Sequence, residues 1–432
     1  MDTSYLIILA LLLGALAATV PVFIVLFFVG LAGLGYFIGI DPMIVIEVLY
    51  RSMDKFALIV VLFFVLCGNI MTTGSIVEKL IKTANVLVGS LPGGLAMAGI
   101  LACGFFGAIS GSTVATVVAI GGFMIPALIR HRYPEQFSIG VMTTAPILGV
   151  VIPPSIAMIL YAMVTNVSLE AFFLTGFMPG LLIMAAMSLY AYFYCRRLPD
   201  IDLAPKPSPA EVFKTLKDSF WALMLPVIIF GGIYSGLFTA NEAAVVACFY
   251  AFFVEIVIHR DMKLTQVKKV VVSSAVTSST LLIIVAGASV FGEYLTFEQI
   301  PGQITNAVVS NIHSQWIFLL AVGIILLLIG MFMDIISATI ILTPILYPML
   351  SRFGIDPMHF GLLMTVNLGI GYATPPLGVS LYIAGTVANR NILYVTKAVA
   401  PFLLIQLGVL LVLTFWPDFV LFLPRWLYGY GD

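Results

Sequence analysis

Two stretches concentrate residues that could bind something. Gly107 to Val118 reads GAISGSTVATVV, and Gly330 to Ile341 reads GMFMDIISATII. Each places glycine, hydroxyl or acidic side chains where a membrane helix normally carries Leu and Val. Two further stretches, Gly149-Val-Val-Ile-Pro153-Pro154-Ser155 and Gly371-Tyr-Ala-Thr-Pro375-Pro376-Leu377, interrupt segments otherwise long enough to span a bilayer. A proline pair removes two N–H donors and clashes with the preceding carbonyls, so the helix must open there. The freed carbonyls are hard oxygen ligands that suit Na⁺, and the N-terminus of the following half-helix favours an anion. A packing kink would explain one such break. Two at corresponding positions point instead to a site.

Asp334 is the one acid set deep within these stretches, and an intramembrane carboxylate is costly enough to be functional by default. It could balance a bound cation, relay a proton, or cap the returning half-helix. Glu242, in Thr239-Ala-Asn-Glu242, fits either a helix N-cap region or a partner contact. Glu47 and Glu255 lie near segment ends and are expected to be snorkelling or interfacial. The four histidines fall at loops or segment ends, which leaves Ser110 without a base. No H-E-x-x-H, intramembrane Asp pair or phosphate loop occurs, so no enzyme is expected. The four cysteines lack CxxC spacing and read as small core residues. No cofactor, and no metal other than Na⁺, is expected.

The elements that hold these residues follow from composition. The chain has 432 residues, 62% of them hydrophobic and 9% charged, with a mean hydropathy of +1.16. A soluble chain is about 45–50% apolar and about 25% charged, so an all-α polytopic membrane protein is implied. With a net charge of −1, bulk electrostatics give no reason to expect a nucleic-acid partner. Apolar segments fall at 4–18, 19–40, 56–72, 90–107, 110–129, 137–164, 171–195, 219–237, 239–259, 270–292, 315–331, 334–350, 359–387 and 394–416.

Aligning Gly107 with Gly330 sets Ala115-Thr116 opposite Ala338-Thr339. One residue out of step, Pro126 then meets Pro348, Arg130 meets Arg352, Gly149 meets Gly371, Pro153-Pro154 meets Pro375-Pro376, and Pro179 meets Pro401. The chain is therefore read as a duplication. Residues 1–195 form the first repeat, with scaffold helices at 4–72, hairpin and broken helix at 90–164, and a closing helix at 171–195. Residues 196–218 are a connector. Residues 219–432 form the second repeat, with scaffold helices at 219–292, hairpin and broken helix at 315–387, and a closing helix at 394–416.

The connector holds five of the 19 basic residues and 260–269 holds four more, which places both in the cytoplasm by the positive-inside rule. Propagating that assignment puts Lys79, Lys82, His131, Arg132, Arg390 and Lys397 inside as well, and the N-terminus in the periplasm. Equivalent elements then cross in opposite directions, an inverted-topology repeat of the secondary-transporter kind. The tips Ser110–Thr113 and Met333–Ser337 are expected to turn two re-entrant hairpins at the midplane.

GNIMTTGSIVEKLI, SGSTVATVVAIGGFMIPALI, APILGVVIPPSI, GLFTANEAAVVA and GYATPPLGVSLYIA, in this order, resemble the large membrane subunit of the tripartite ATP-independent periplasmic (TRAP) transporters. The resemblance spans essentially the whole chain. It implies a Na⁺-driven elevator transporter in a bacterial inner membrane, with a small four-span partner subunit and a periplasmic substrate-binding protein. It further implies one Na⁺ site near Ser110, Thr113, Gly149, Ile152 and Pro154, and another from Gly330, Gly371, Thr374 and Leu377. Substrate would lie between the tips, with Ser112, Thr113, Asp334 and Ser337 as its contacts. The acid-free run STVATVV resembles the dicarboxylate branch, so a small carboxylate or sulfonate is expected in preference to sialic acid. Proton coupling through Asp334 is the alternative.

Overall fold

The computed structural model describes residues 7–8, 10–12, 14–15, 20–55, 57–198 and 201–431, and every regular element among them is a helix. The segment expected at 4–18 lies largely outside the described residues. Among those described, eight helices are long and apolar enough to cross a membrane, or up to ten if each of two bent pairs is one span. The bent pairs are Pro42–Met53 with Leu58–Thr73, at 51°, and Pro209–Asp218 with Phe220–Tyr234, at 63°. The second pair includes a short helix, Pro209–Asp218, in the last part of the expected connector, started by a capping box between Ser208 and Glu211. Helices Ile76–Val88, Ile300–Asn311 and Pro417–Tyr428 were not among the expected apolar segments, because polar residues interrupt their apolar runs.

Burial separates centre from periphery. In the most apolar window of Glu135–Thr165, 89% of residues are buried, against 33% for Thr265–Phe297. Every residue of Met358–Gly371 is buried too. Between lipid-embedded helices there is little hydrophobic drive, so close packing and hydrogen bonds must hold this centre together. The four cysteines are free and buried, as core residues should be.

Both expected breaks are present. The first helix runs from Glu135 through a 3₁₀ turn at Ala145–Ile147 to Val151, and restarts at Ile156–Thr165. The second runs Pro357–Gly371 and restarts at Val379–Ala388. Pro153-Pro154 and Pro375-Pro376 both carry cis bonds.

The two broken helices run antiparallel. Arg390, just past the end of the second, clasps Glu135 at the start of the first, with N···O distances of 2.8 and 2.9 Å. At the opposite end the Tyr161 hydroxyl donates to the Pro357 carbonyl at 2.7 Å. Arg132 lies 3.8 Å from Asp202, and the Asp202 N–H donates to the His131 carbonyl. His131, Arg132, the connector and Arg390 thus share one end of the molecule, as charge counting requires of loops on one side of a membrane.

Glu255 departs from expectation. It is fully buried rather than snorkelling to the surface, and its carboxylate accepts the backbone N–H of Ile76 at 2.9 Å. Glu47 is exposed, 3.7 Å from Arg51.

Candidate functional site

Each tip is a two-residue turn. In the first, helix Gly94–Ser110 ends on Gly111 at φ +61, a left-handed conformation that glycine adopts without a Cβ penalty. Ser112 then caps the return helix, Thr113–Arg130, by accepting the Ala115 N–H at 3.4 Å. In the second, Gln315–Phe332 passes through extended Met333 and Asp334 into Ile335–Phe353. Here the cap is Asp334, whose Oδ2 accepts the Ser337 N–H at 2.8 Å. Ser112 and Asp334 therefore fill the same structural position. This register sets Ala115 opposite Ser337 rather than Ala338, so the one-residue slip lies within the tips.

Tips and breaks are tied by the backbone in both halves. After the first proline pair, the Ile156 N–H donates to the Gly111 carbonyl at 3.4 Å. After the second, the Gly378 N–H donates to Met331 at 3.1 Å. Both contacts spend a donor freed by helix rupture on the end of a hairpin's first arm.

Around the first tip and break, three buried hydroxyls have no hydrogen-bond partner: Ser110 Oγ, Thr113 Oγ1 and Ser155 Oγ. Ser155 is fully buried, and Ser110 and Thr113 are each 3% exposed. Unpaired polar atoms at such depth are costly, and oxygen-rich surroundings of this kind suit a small hard cation. Gly149 faces the Ser112 carbonyl and Thr116 Oγ1, and Pro154 presents its carbonyl to Gly111. Ile152 is buried but packs its side chain on Gly180 and Gly104, so only its backbone is available as a ligand.

The second half is built differently. Gly330 and Gly371 are in backbone contact, while the Thr374 hydroxyl is spent on the Ile370 carbonyl at 2.8 Å and Leu377 is exposed. Ser337 Oγ and Ser380 Oγ are fully buried and unpartnered.

Between the tips lies a cavity of about 240 Å³. Gly111, Ser112 and Thr113 line it from the first tip, Asp334 and Ile335 from the second. Val150, Ile156 and Tyr372 reach it from the breaks, and Leu281 and Ile284 from helix Leu264–Phe297. Three of the four expected substrate contacts thus converge, and Ser337 stays outside the lining. Among the described lining residues Asp334 is the sole charged one, so an anion here would be met by helix N-termini rather than by cationic side chains. Glu242 forms an exposed capping box with Thr239, remote in role from this cavity.

Sequence reasoning missed Ser155, Ser380 and Tyr372. Ser155 directly follows the first proline pair and Tyr372 directly follows Gly371, a proximity that could have flagged both. The Tyr372 hydroxyl accepts the Ile335 N–H at 3.3 Å, joining the second break to the second tip. Leu281 and Ile284 carry no sequence signal, being two apolar residues in an apolar helix.

Residues 8–419 match the family described as "Tripartite ATP-independent periplasmic transporter, DctM component". The chain is 40% identical over 379 residues to the C4-dicarboxylate TRAP transporter large permease protein DctM of Pseudomonas aeruginosa, covering 88% of each. It is 37% identical over 378 residues to the isethionate TRAP transporter permease protein DctMQ of Oleidesulfovibrio alaskensis, covering 88% of this chain and 60% of that one. Its fold is similar to that of the YdaH transporter of Alcanivorax borkumensis, with TM-score 0.61, 16% identity, and coverage of 86% of this chain and 87% of that one.

Proposed function

The chain belongs to the tripartite ATP-independent periplasmic transporter family as its DctM component, and from that premise we propose that it drives sodium-coupled uptake of a small organic anion across a bacterial inner membrane. The observation that carries this reading is the cavity enclosed by both hairpin tips and both helix breaks. Its size suits a compact carboxylate or sulfonate, the class named for the C4-dicarboxylate and isethionate relatives, although a sialic acid permease is also similar, 35% identical over 420 residues.

Sodium would sit beside the cavity, at Ser110, Thr113, Ser155 and the backbone around Gly149, where the unpaired hydroxyls lie. A second ion would take the region of Gly330, Gly371 and Ser380. The anion would meet Ser112, Thr113 and the N-termini of the return helices. Because Leu281 and Ile284 wall the cavity from a peripheral helix, the site lies between a tip-and-break block and a scaffold, as an elevator movement needs. The hairpins would then be re-entrant, meeting from opposite faces of the membrane. A periplasmic binding protein would deliver the substrate, and a small four-span subunit would bind the scaffold.

The test is reconstitution of the chain with both partners in liposomes. Substrate uptake should follow an imposed Na⁺ gradient, and uptake indifferent to that gradient would sink the coupling. Proton coupling is the second reading, favoured by Asp334 being the charged group in the cavity lining.

A further inference from the structure

Away from the transport cavity, Glu255, His259 and Asp261 offer ligand atoms that all lie within 4.8 Å of one another. Local backbone brings them together. Glu255 lies in a π-helical turn, Val254–Ile258, and Arg260 follows at φ +60, which folds Asp261 back so that its N–H donates to the Glu255 carbonyl. The Glu255 side chain is 0% exposed and that of His259 4%.

Hydrogen bonds account for only part of this group. Glu255 Oε1 accepts the Ile76 N–H, the Ser75 backbone N–H is also directed at the carboxylate, and His259 Nδ1 is 3.1 Å from Ser75 Oγ. Glu255 Oε2, 3.6 Å from His259 Nδ1, has no hydrogen-bond partner, and neither has His259 Nε2. Lys79, which borders the same cleft as Asp261, directs its ammonium to the Asp218 carbonyl at 3.4 Å. A buried carboxylate oxygen without a donor is a costly arrangement that a cation would relieve.

We propose that Glu255, His259 and Asp261 bind one first-row divalent cation, Zn²⁺ by preference, clamping the end of helix Ala240–Ile258 to the start of Ile76–Val88. One imidazole nitrogen and two carboxylate oxygens leave a fourth position for water, a donor set that zinc accepts. Bonds of about 2.0–2.2 Å in tetrahedral geometry need ligand atoms about 3.3–3.6 Å apart, so the group closes slightly on the ion. The Ile76 N–H on Oε1 would orient the ligating carboxylate from behind. The clamp joins a helix of the second repeat to one of the first, and none of its three residues lines the cavity.

The test uses the full chain, purified in detergent, stripped with EDTA and titrated with ZnCl₂ alone. After desalting, elemental analysis should find about one zinc per chain, and thermal unfolding should shift upward with zinc. Asp261→Asn alters an exposed side chain, so it should fold as wild type without zinc and bind zinc at least ~10-fold more weakly. His259→Gln should weaken it likewise. Failure of wild type to retain zinc, or equal retention by Asp261→Asn and His259→Gln, would overturn the proposal. Either result leaves the uptake assay untouched, so this site and the transport reading fail separately.

Discussion

A β-carbon placed on Gly107 would stand 2.6 Å from Cα of Gly149, so the first hairpin and first broken helix meet backbone on backbone. Gly371 and Gly330 repeat the contact, with 2.7 Å from a β-carbon on the former to Cα of the latter. Overpacking of this kind costs about 1–3 kcal/mol. Gly107→Ala and Gly371→Ala should each lower the thermal midpoint of the purified chain and cut uptake at least ~10-fold. Gly122→Ala and Gly408→Ala, where nothing lies within 4 Å, should change neither. Four indistinguishable midpoints would show that these contacts do not hold the centre together.

The unpaired hydroxyls make the proposed first ion site separable from ordinary buried threonines. Removing an oxygen that contacts a charge costs about 1.5–3 kcal/mol, or roughly 10- to 100-fold in affinity. Thr113→Ala and Ser155→Ala should raise the Na⁺ concentration for half-maximal uptake by that factor. Thr143→Ala and Thr165→Ala should not, since those hydroxyls already donate to helix carbonyls at 2.6 and 2.8 Å. An unaltered Na⁺ dependence in the first two variants would move the site elsewhere.

Asp334 combines a cap with a charge, and asparagine separates them. Asn caps helices about as well as Asp, so Asp334→Asn should keep the fold while losing the charge. Because the sodium seats lie on other residues, Na⁺-driven uptake by Asp334→Asn should stay within a few-fold of wild type, with its thermal midpoint also near wild type. Should wild type instead respond to an imposed pH gradient without Na⁺, and the variant lose that response, proton coupling would replace the sodium reading.

Sidedness is open to direct labelling. The native cysteines are buried and free, so a single cysteine introduced at the exposed Ser208 gives a clean reporter. An impermeant thiol reagent should reach it from the cytoplasmic face of membrane vesicles and not from the other. Periplasmic labelling would invert the proposed topology.

Much of the framework could be read from residue order. The proline pairs located both helix breaks, because proline's missing N–H and ring clash act whatever surrounds them. Ser112, Thr113 and Asp334 were expected together and do share a cavity. What could not be read depends on contacts distant in sequence. Thr374 lost its hydroxyl to its own helix, Leu377 faced outward, and Glu255 went inside to serve a helix that begins at Ile76. Leu281 and Ile284 reach the cavity through packing, which apolar composition leaves unspecified.

Arg390 on Glu135 at one end, and Tyr161 on Pro357 at the other, fasten the broken helices to each other near both termini. Sliding either along its axis against the other would break both contacts. Ions seated at the two breaks would then cross in one event, and the rate would follow the product of their occupancies. Uptake would rise with Na⁺ with a Hill coefficient above one, and damage at one seat would flatten the response governed by the other.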